Sequence, residues 1–175
     1  VPDKPVVIFG VGAFAEVAEV YLRRDGGRKV LAYTVDGEYA KEQAFAGLPV
    51  VAWEELAGRY PPERVELLVA TGFKGVNKVR RGIYERCKRA GYSFVTYVSS
   101  KAMVMSELPL GENTFVFEAN VIQPFAQIGA NVVVWSGNHI GHHSRIEDHC
   151  FIASHAVISG HVRIGEESFV GVNAT

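Results

Sequence analysis

From Val104 to Val170 every sixth residue is aliphatic, running through Leu110, Val116, Ile122, Ile128 and onward without a slip. A helix repeats its buried positions about every 3.6 residues and a strand about every 2, so neither alone makes a beat of six. A stacked triangular prism does. Each hexad is a short strand plus a corner, and three hexads close one coil. The other positions agree. The residue after the aliphatic is often small, as at Gly111, Gly129, Gly141 and Gly165, and so is the residue two places before it, as at Ala126, Ser144, Cys150 and Ala156. An alternating β-sandwich would need turn signals every 8–12 residues or so, and these are missing.

The first hundred residues read differently. A short apolar strand, 4–9, runs into Gly10-Val11-Gly12-Ala13-Phe14 and then a stretch with helical spacing. Further strands are expected at 29–35, 50–52, 65–70 and 92–98, with helices starting at Trp53 and spanning 75–90. Strands alternating with helices imply a parallel sheet flanked by helices. The expected fold is therefore an α/β Rossmann-like domain over 1–100, followed by a parallel β-helix of hexapeptide repeats over 101–175.

Composition narrows the partners. A formal net charge of −1, with no charged block, argues against nucleic acid as a partner. No apolar run reaches the roughly 18 residues of a membrane span. Cys87 and Cys150 are too few for a disulfide scaffold, so a reduced, cytoplasmic protein is expected. The last hexad, ending at Thr175, has no cap. More coils are expected to follow in the parent protein, and a chain ending at Thr175 is expected to bind CoA poorly.

Two regions carry chemistry. The first turn matches G-x-G-x-x-[G/A], and Asp36 stands where a ribose-binding carboxylate would. Gly10 permits a tight turn, Gly12 lets a phosphate approach, and a helix N-terminus favours an anion. The same glycines could merely connect strand to helix. The domain has room for one mononucleotide half, so a nucleotide-linked small molecule fits better than a dinucleotide. The loop after the fourth strand, with Gly72, Lys74 and Asn77, is a candidate wall of that site, or an ordinary solvated basic loop.

All six histidines fall between His139 and His161. His143, His149, His155 and His161 share one hexad position, and His143 and His161 are one coil apart on the same face. An imidazole can act as a general base or bind a metal. The gamma-class carbonic anhydrases bind zinc on such a prism with one histidine plus a pair five residues apart. No two histidines here are five apart, so no metal is expected. For most of these histidines a surface or corner role is the simpler reading.

A small Rossmann-like domain joined to a hexapeptide prism resembles the bacterial nucleotide-sugar acyltransferases of the sialic-acid O-acetyltransferase type. That group includes N-acetyltransferases acting on UDP- or GDP-linked amino sugars. The most specific stretches are Val134-Trp135-Ser136-Gly137-Asn138-His139-Ile140-Gly141-His142-His143-Ser144-Arg145-Ile146 and Ser159-Gly160-His161-Val162-Arg163-Ile164-Gly165.

The resemblance implies a left-handed prism, a homotrimer with active sites between neighbouring prisms, acetyl-CoA as donor, and a nucleotide sugar held by the first domain. It places the catalytic histidine at His142, with His143 beside it. Carried over from the resemblance, the nucleotide-binding positions fall on Gly10, Gly12 and Asp36; Ala13, Phe14, Gly72 and Lys74 complete the expected substrate-binding set, and Gly160 and His161 are the expected cofactor-binding positions. Two departures stand out. Ala13-Phe14 replaces the usual Gly-His, and His143 replaces the carboxylate that follows the base. Either His143 has another role, or Glu147, Asp148 or a neighbouring subunit supplies the anion. The alternative function is a non-catalytic trimeric module that binds a nucleotide sugar.

Overall fold

A computed structural model describes residues 3–175. The chain divides into two compact units, 1–72 with 83–95, and 73–82 with 96–175.

The first unit holds β1 (Val6–Phe9), α1 (Ala13–Arg24), β2 (Val30–Val35), β3 (Ala44–Phe45), β4 (Leu48–Ala52), α2 (Trp53–Arg59) and β5 (Glu66–Val69). It also holds the second half of α3 (Lys78–Arg89), and β6 (Ser93–Phe94). The sheet order is β3-β4-β2-β1-β5-β6, parallel throughout except for β3 against β4. The apolar run of β1 is buried along its whole length because β2 and β5 flank it. Buried Ala15, Ala18 and Leu22 give α1 its inward face.

The short strand β3 was not foreseen. It forms a hairpin with β4 through Ala46 and Gly47, both at positive φ (46° and 80°). Two-residue hairpin loops favour that backbone, usually with Asn-Gly. Ala-Gly does not advertise it.

The second unit is a parallel β-helix with three faces. The first face stacks Tyr97–Val98, Phe115–Val116, Val133–Val134, Phe151–Ile152 and Phe169–Val170. The second stacks Met103–Val104, Val121–Ile122, His139–Ile140 and Val157–Ile158, and the third Gln127–Ile128, Arg145–Ile146 and Arg163–Ile164. Ladder partners are one coil apart, as in Val121 with His139. The aliphatic positions from Val116 to Ile158 fill one buried column, as the six-residue beat predicts. Val104 is an exception at 36% exposed. It lies in the edge strand of its face, with a ladder partner on one side only.

The expected single strand over 92–98 is two strands. Ser93–Phe94 pairs with β5, whereas Tyr97–Val98 pairs with Phe115–Val116. Val98 stands six residues before Val104, so the hexad register already begins there.

The outer side of the first face is covered by its own chain. Phe73 packs its ring 5.2 Å from Phe151 and 4.6 Å from Phe169. Arg80 is fully buried, and donates to the carbonyls of His149 (2.7 Å), Cys150 (3.0 Å) and Asn131 (3.3 Å). Burial among neutral partners pushes its guanidinium down to about 10. The wall reading of Asn77 does not hold. Asn77 is buried, its amide donates to the carbonyls of Glu167 and Ser168, and its Oδ1 accepts from Arg80.

Candidate active site

One hexad position fixes the histidines. Every sixth residue from Asn113 to Asn173 has a positive φ, between 55° and 66° for the non-glycines. His143, His149, His155 and His161 all occupy it. Asn and His enter the left-handed region more readily than most L-residues. Much of the histidine clustering therefore answers a backbone demand of the corner. His142 stands outside this pattern, one place earlier.

The corner after His139–Ile140 brings three histidines together. Gly141 lies so close to the next coil that a Cβ there would collide with the backbone at Ser159 and Gly160. Such close stacking leaves the His142 backbone little freedom. Its N–H donates to Gln123 Oε1 (2.9 Å), and its carbonyl accepts from the His161 N–H (2.9 Å). The imidazole lies against Gly160, where an added Cβ would come within 2.7 Å of both Cε1 and Nε2. His142 Nδ1 is 3.1 Å from His143 Nδ1. His143 in turn stacks on His161 (centroids 4.8 Å, planes 11° apart) and packs at a tilt against Phe125 (4.7 Å, 35°).

His142, His143, Gly160 and His161, all candidates on sequence, meet at this corner. Gln123 and Phe125 join them without a signal of their own in the sequence. Both lie about one coil before the pair, at a separation that becomes legible only once the coil length is used.

The carboxylates considered as partners are bound elsewhere. Glu147 accepts from Arg163 at 2.7 Å, and that hydrogen bond holds its carboxyl below the usual range. Asp148 Oδ1 accepts from the Ala130 N–H. Both line a groove of about 510 Å³ with Arg145 and Glu166, and none of the three histidines lines it.

Ligand atoms of His142, His143 and His161 lie within 4.8 Å of one another. Yet the parallel rings of His143 and His161 send their in-plane lone pairs side by side, not toward one point. A second group, Asp148, His149 and Glu166, has a similar span. There His149 Nδ1 is already bonded to the Asn131 amide (2.9 Å).

In the first unit, Gly10 takes φ +132°, and a Cβ on it would meet the Ala70 carbonyl oxygen at 2.8 Å. Gly12 is the N-cap of α1, with open space where a Cβ would stand. Gly12 and Ala13 are exposed and Phe14 is half-buried, so the start of a twelve-residue helix is open to an anion. Asp36 directly follows β2 and pairs with Arg86 at 2.6 Å. Beside this turn, Val11, Tyr39, Phe45 and Val50 help line a cavity of about 260 Å³. Gly72 is exposed at the end of the first unit's opening segment, and Lys74 is exposed within the second unit.

Neither a known family profile nor a curated protein matches the sequence. Solved structures do match. The chain is similar to a perosamine N-acetyltransferase from Caulobacter crescentus, a histidine-to-asparagine mutant in complex with CoA and GDP-perosamine. Identity is 26% and the TM-score 0.83, over 94% of this chain and 76% of that one. It is also similar in fold to the acetyltransferase domain of PglB from Neisseria gonorrhoeae, at 23% identity and a TM-score of 0.82, over 98% and 81% of the two chains. WeeI from Acinetobacter baumannii shares the fold at 16% identity and a TM-score of 0.82, over 97% and 78%. No helix among the described residues is long and apolar enough to cross a membrane.

Proposed function

We propose that this chain is an acetyl-CoA-dependent acetyltransferase that acylates an amino or hydroxyl group of a nucleotide-linked sugar for bacterial surface glycans. The observation that carries the reading is the likeness, over nearly the whole chain, to an N-acetyltransferase bound to CoA and a GDP-linked sugar. The corner with His142 against Gly160 offers a chemical centre that suits it.

In this reading His142 carries its proton on Nδ1 and donates it to His143 Nδ1, leaving the Nε2 lone pair free. Nε2 takes a proton from the acceptor as its nitrogen or oxygen attacks the thioester carbonyl. The Gly160 N–H stabilises the tetrahedral oxyanion. Collapse expels the CoA thiolate, which recovers the proton from His142. His161 and Gly160 contribute to the CoA site.

The first hundred residues act as a Rossmann-like nucleotide-sugar-binding half. The diphosphate sits at the start of α1 over Gly10, Gly12, Ala13 and Phe14, with the ribose at Asp36 and Gly72 as a wall. Residues 101–175 form the acyl-transfer half, a left-handed prism. Within the sugar acetyltransferases, the sialic-acid O-acetyltransferase type is the nearest description. The protein works in the cytoplasm, a reading supported by two free, buried cysteines.

Self-association as a homotrimer is supported by the outer side of the second face. Met103 and Val157 are 58% and 46% exposed there, with Val121 and His139 half-buried between them. His142 follows that face directly, so a partner seated on it would close over the histidine.

The test is release of free CoA from acetyl-CoA with and without a panel of UDP- and GDP-linked amino sugars. Cleavage that depends on one of them is expected. Tight nucleotide-sugar binding with no acetyl transfer would favour the non-catalytic module instead.

A further inference from the structure

Asp36 is held more firmly than a carboxylate at a strand end needs to be. Its Oδ1 is buried and stands 2.6 Å from Arg86 Nη2. The contact is a charge pair without hydrogen-bond alignment. The Arg86 guanidinium is itself fixed, 5.0 Å from the Trp53 ring and 5.4 Å from the Phe9 ring. Those two rings lie 5.7 Å apart. The backbone is pinned as well: the Asp36 carbonyl accepts from the Tyr39 N–H (2.8 Å), and the Gly37 N–H donates to Glu54 Oε2 (3.1 Å). Asp36 is still 29% exposed, which leaves Oδ2 as its outward oxygen. That oxygen lies at the strand end where the Gly10 turn is tied to β2 by Gly10 N–H to the Thr34 carbonyl (2.9 Å).

We propose that Arg86 is a positioning residue for nucleotide binding, locking Asp36 so that Oδ2 accepts a hydrogen bond from a ribose hydroxyl. The inference rests on the nucleotide-sugar reading given above. Two physical effects support it. An unanchored aspartate would have to be ordered when the nucleotide arrives, and prior anchoring removes that cost. A carboxylate beside an incoming diphosphate also repels it, and a guanidinium on Oδ1 offsets that repulsion. Arginine suits the task better than lysine, because a planar cation can lie against two aromatic faces while one of its nitrogens meets the carboxylate.

The test is calorimetric titration of the whole protein with GDP and UDP and with their 2′,3′-dideoxy analogues. The wild type is expected to prefer the ribose form of the better nucleotide by about tenfold, the scale of one hydrogen bond to a charged group. Arg86→Met should lose most of that preference while its affinity for the dideoxy form moves less than about threefold. Asp36→Asn should lose it too, and the double variant should lose no more than either single one. An Arg86→Met protein that keeps the full ribose preference, or that weakens both forms equally, overturns the proposal. If Arg86→Met does not fold, Arg86→Lys keeps the charge without the planar fork. It should lose at least half of the preference, and an unchanged preference there is contrary. A wild type that binds nucleotide with no ribose preference overturns this inference alone. A wild type that binds neither nucleotide overturns the nucleotide-sugar reading and this inference with it.

Discussion

His142 and His143 face each other through their Nδ1 atoms, 3.1 Å apart. One proton can bridge them, and two would clash. In the proposed mechanism His143 is the acceptor that fixes the tautomer of His142, but an imidazole, unlike a carboxylate, offers no anion to an imidazolium. On the proposed mechanism, His143→Ala should lower kcat by about tenfold, less than loss of the general base itself would, with little change in KM. His143→Glu should be at least as active as the wild type. Steady-state kinetics of the two variants check this, and a His143→Glu protein as poor as His143→Ala would argue against the orienting role.

Gly160 gives the imidazole its room. A methyl group there would sit 2.7 Å from Nε2 and Cε1 of His142, the far end of a side chain that can swing away. The fold should therefore tolerate Gly160→Ala while the chemistry does not. Turnover should fall by about 10²-fold, the usual cost of a misplaced reacting group. Melting temperature should shift by only a few degrees. Kinetics and a thermal melt on the same sample separate the two effects.

The outer side of the second face predicts assembly. Light scattering on the wild type should give three times the chain mass of 19.2 kDa. Val157→Asp places a charge on that face without disturbing the core, since Val157 is the outward member of its strand. It should yield a monomer that keeps its fold. A trimer that survives the substitution would move the interface elsewhere.

Burial pushes the thiol of Cys87 up to about 12 and that of Cys150 up to about 11. Cys150 also donates to the Gly165 carbonyl (3.0 Å). The folded state thus keeps protons that the unfolded chain gives up near pH 9. Between about pH 9 and 11 the native form binds more protons, so stability falls as pH rises through that window. Urea titrations at pH 8, 9 and 10 should show the decline. Iodoacetamide at pH 8 should label neither thiol in the native protein and both in urea.

The column of aliphatic plugs was legible because one residue type recurs at one period, and each plug from Val116 to Ile158 is buried where the period puts it. The corner at His142 was legible for the same reason, since a fixed coil length places Gly160 and His161 beside it. What escaped were features set by the tertiary backbone. The left-handed corner position explains why four histidines share a register, but a sequence shows residue types and not φ. The hairpin at Ala46-Gly47 lacks the usual turn residues. The roles of Arg80 and Asn77 depend on corner carbonyls far along the chain, and a basic helix gives no hint that one arginine is fully buried. The pairing of Asp36 with Arg86 is likewise a contact between strand end and helix with no local signal.

The most direct measurement is the single-turnover rate of acetyl transfer by His142→Asn, with acetyl-CoA and nucleotide-sugar binding measured on the same protein. If Nε2 of His142 is the base, the rate falls by about 10²–10⁴-fold while both ligands still bind. A rate within a few-fold of the wild type would contradict the assignment and send the search for the base away from this corner.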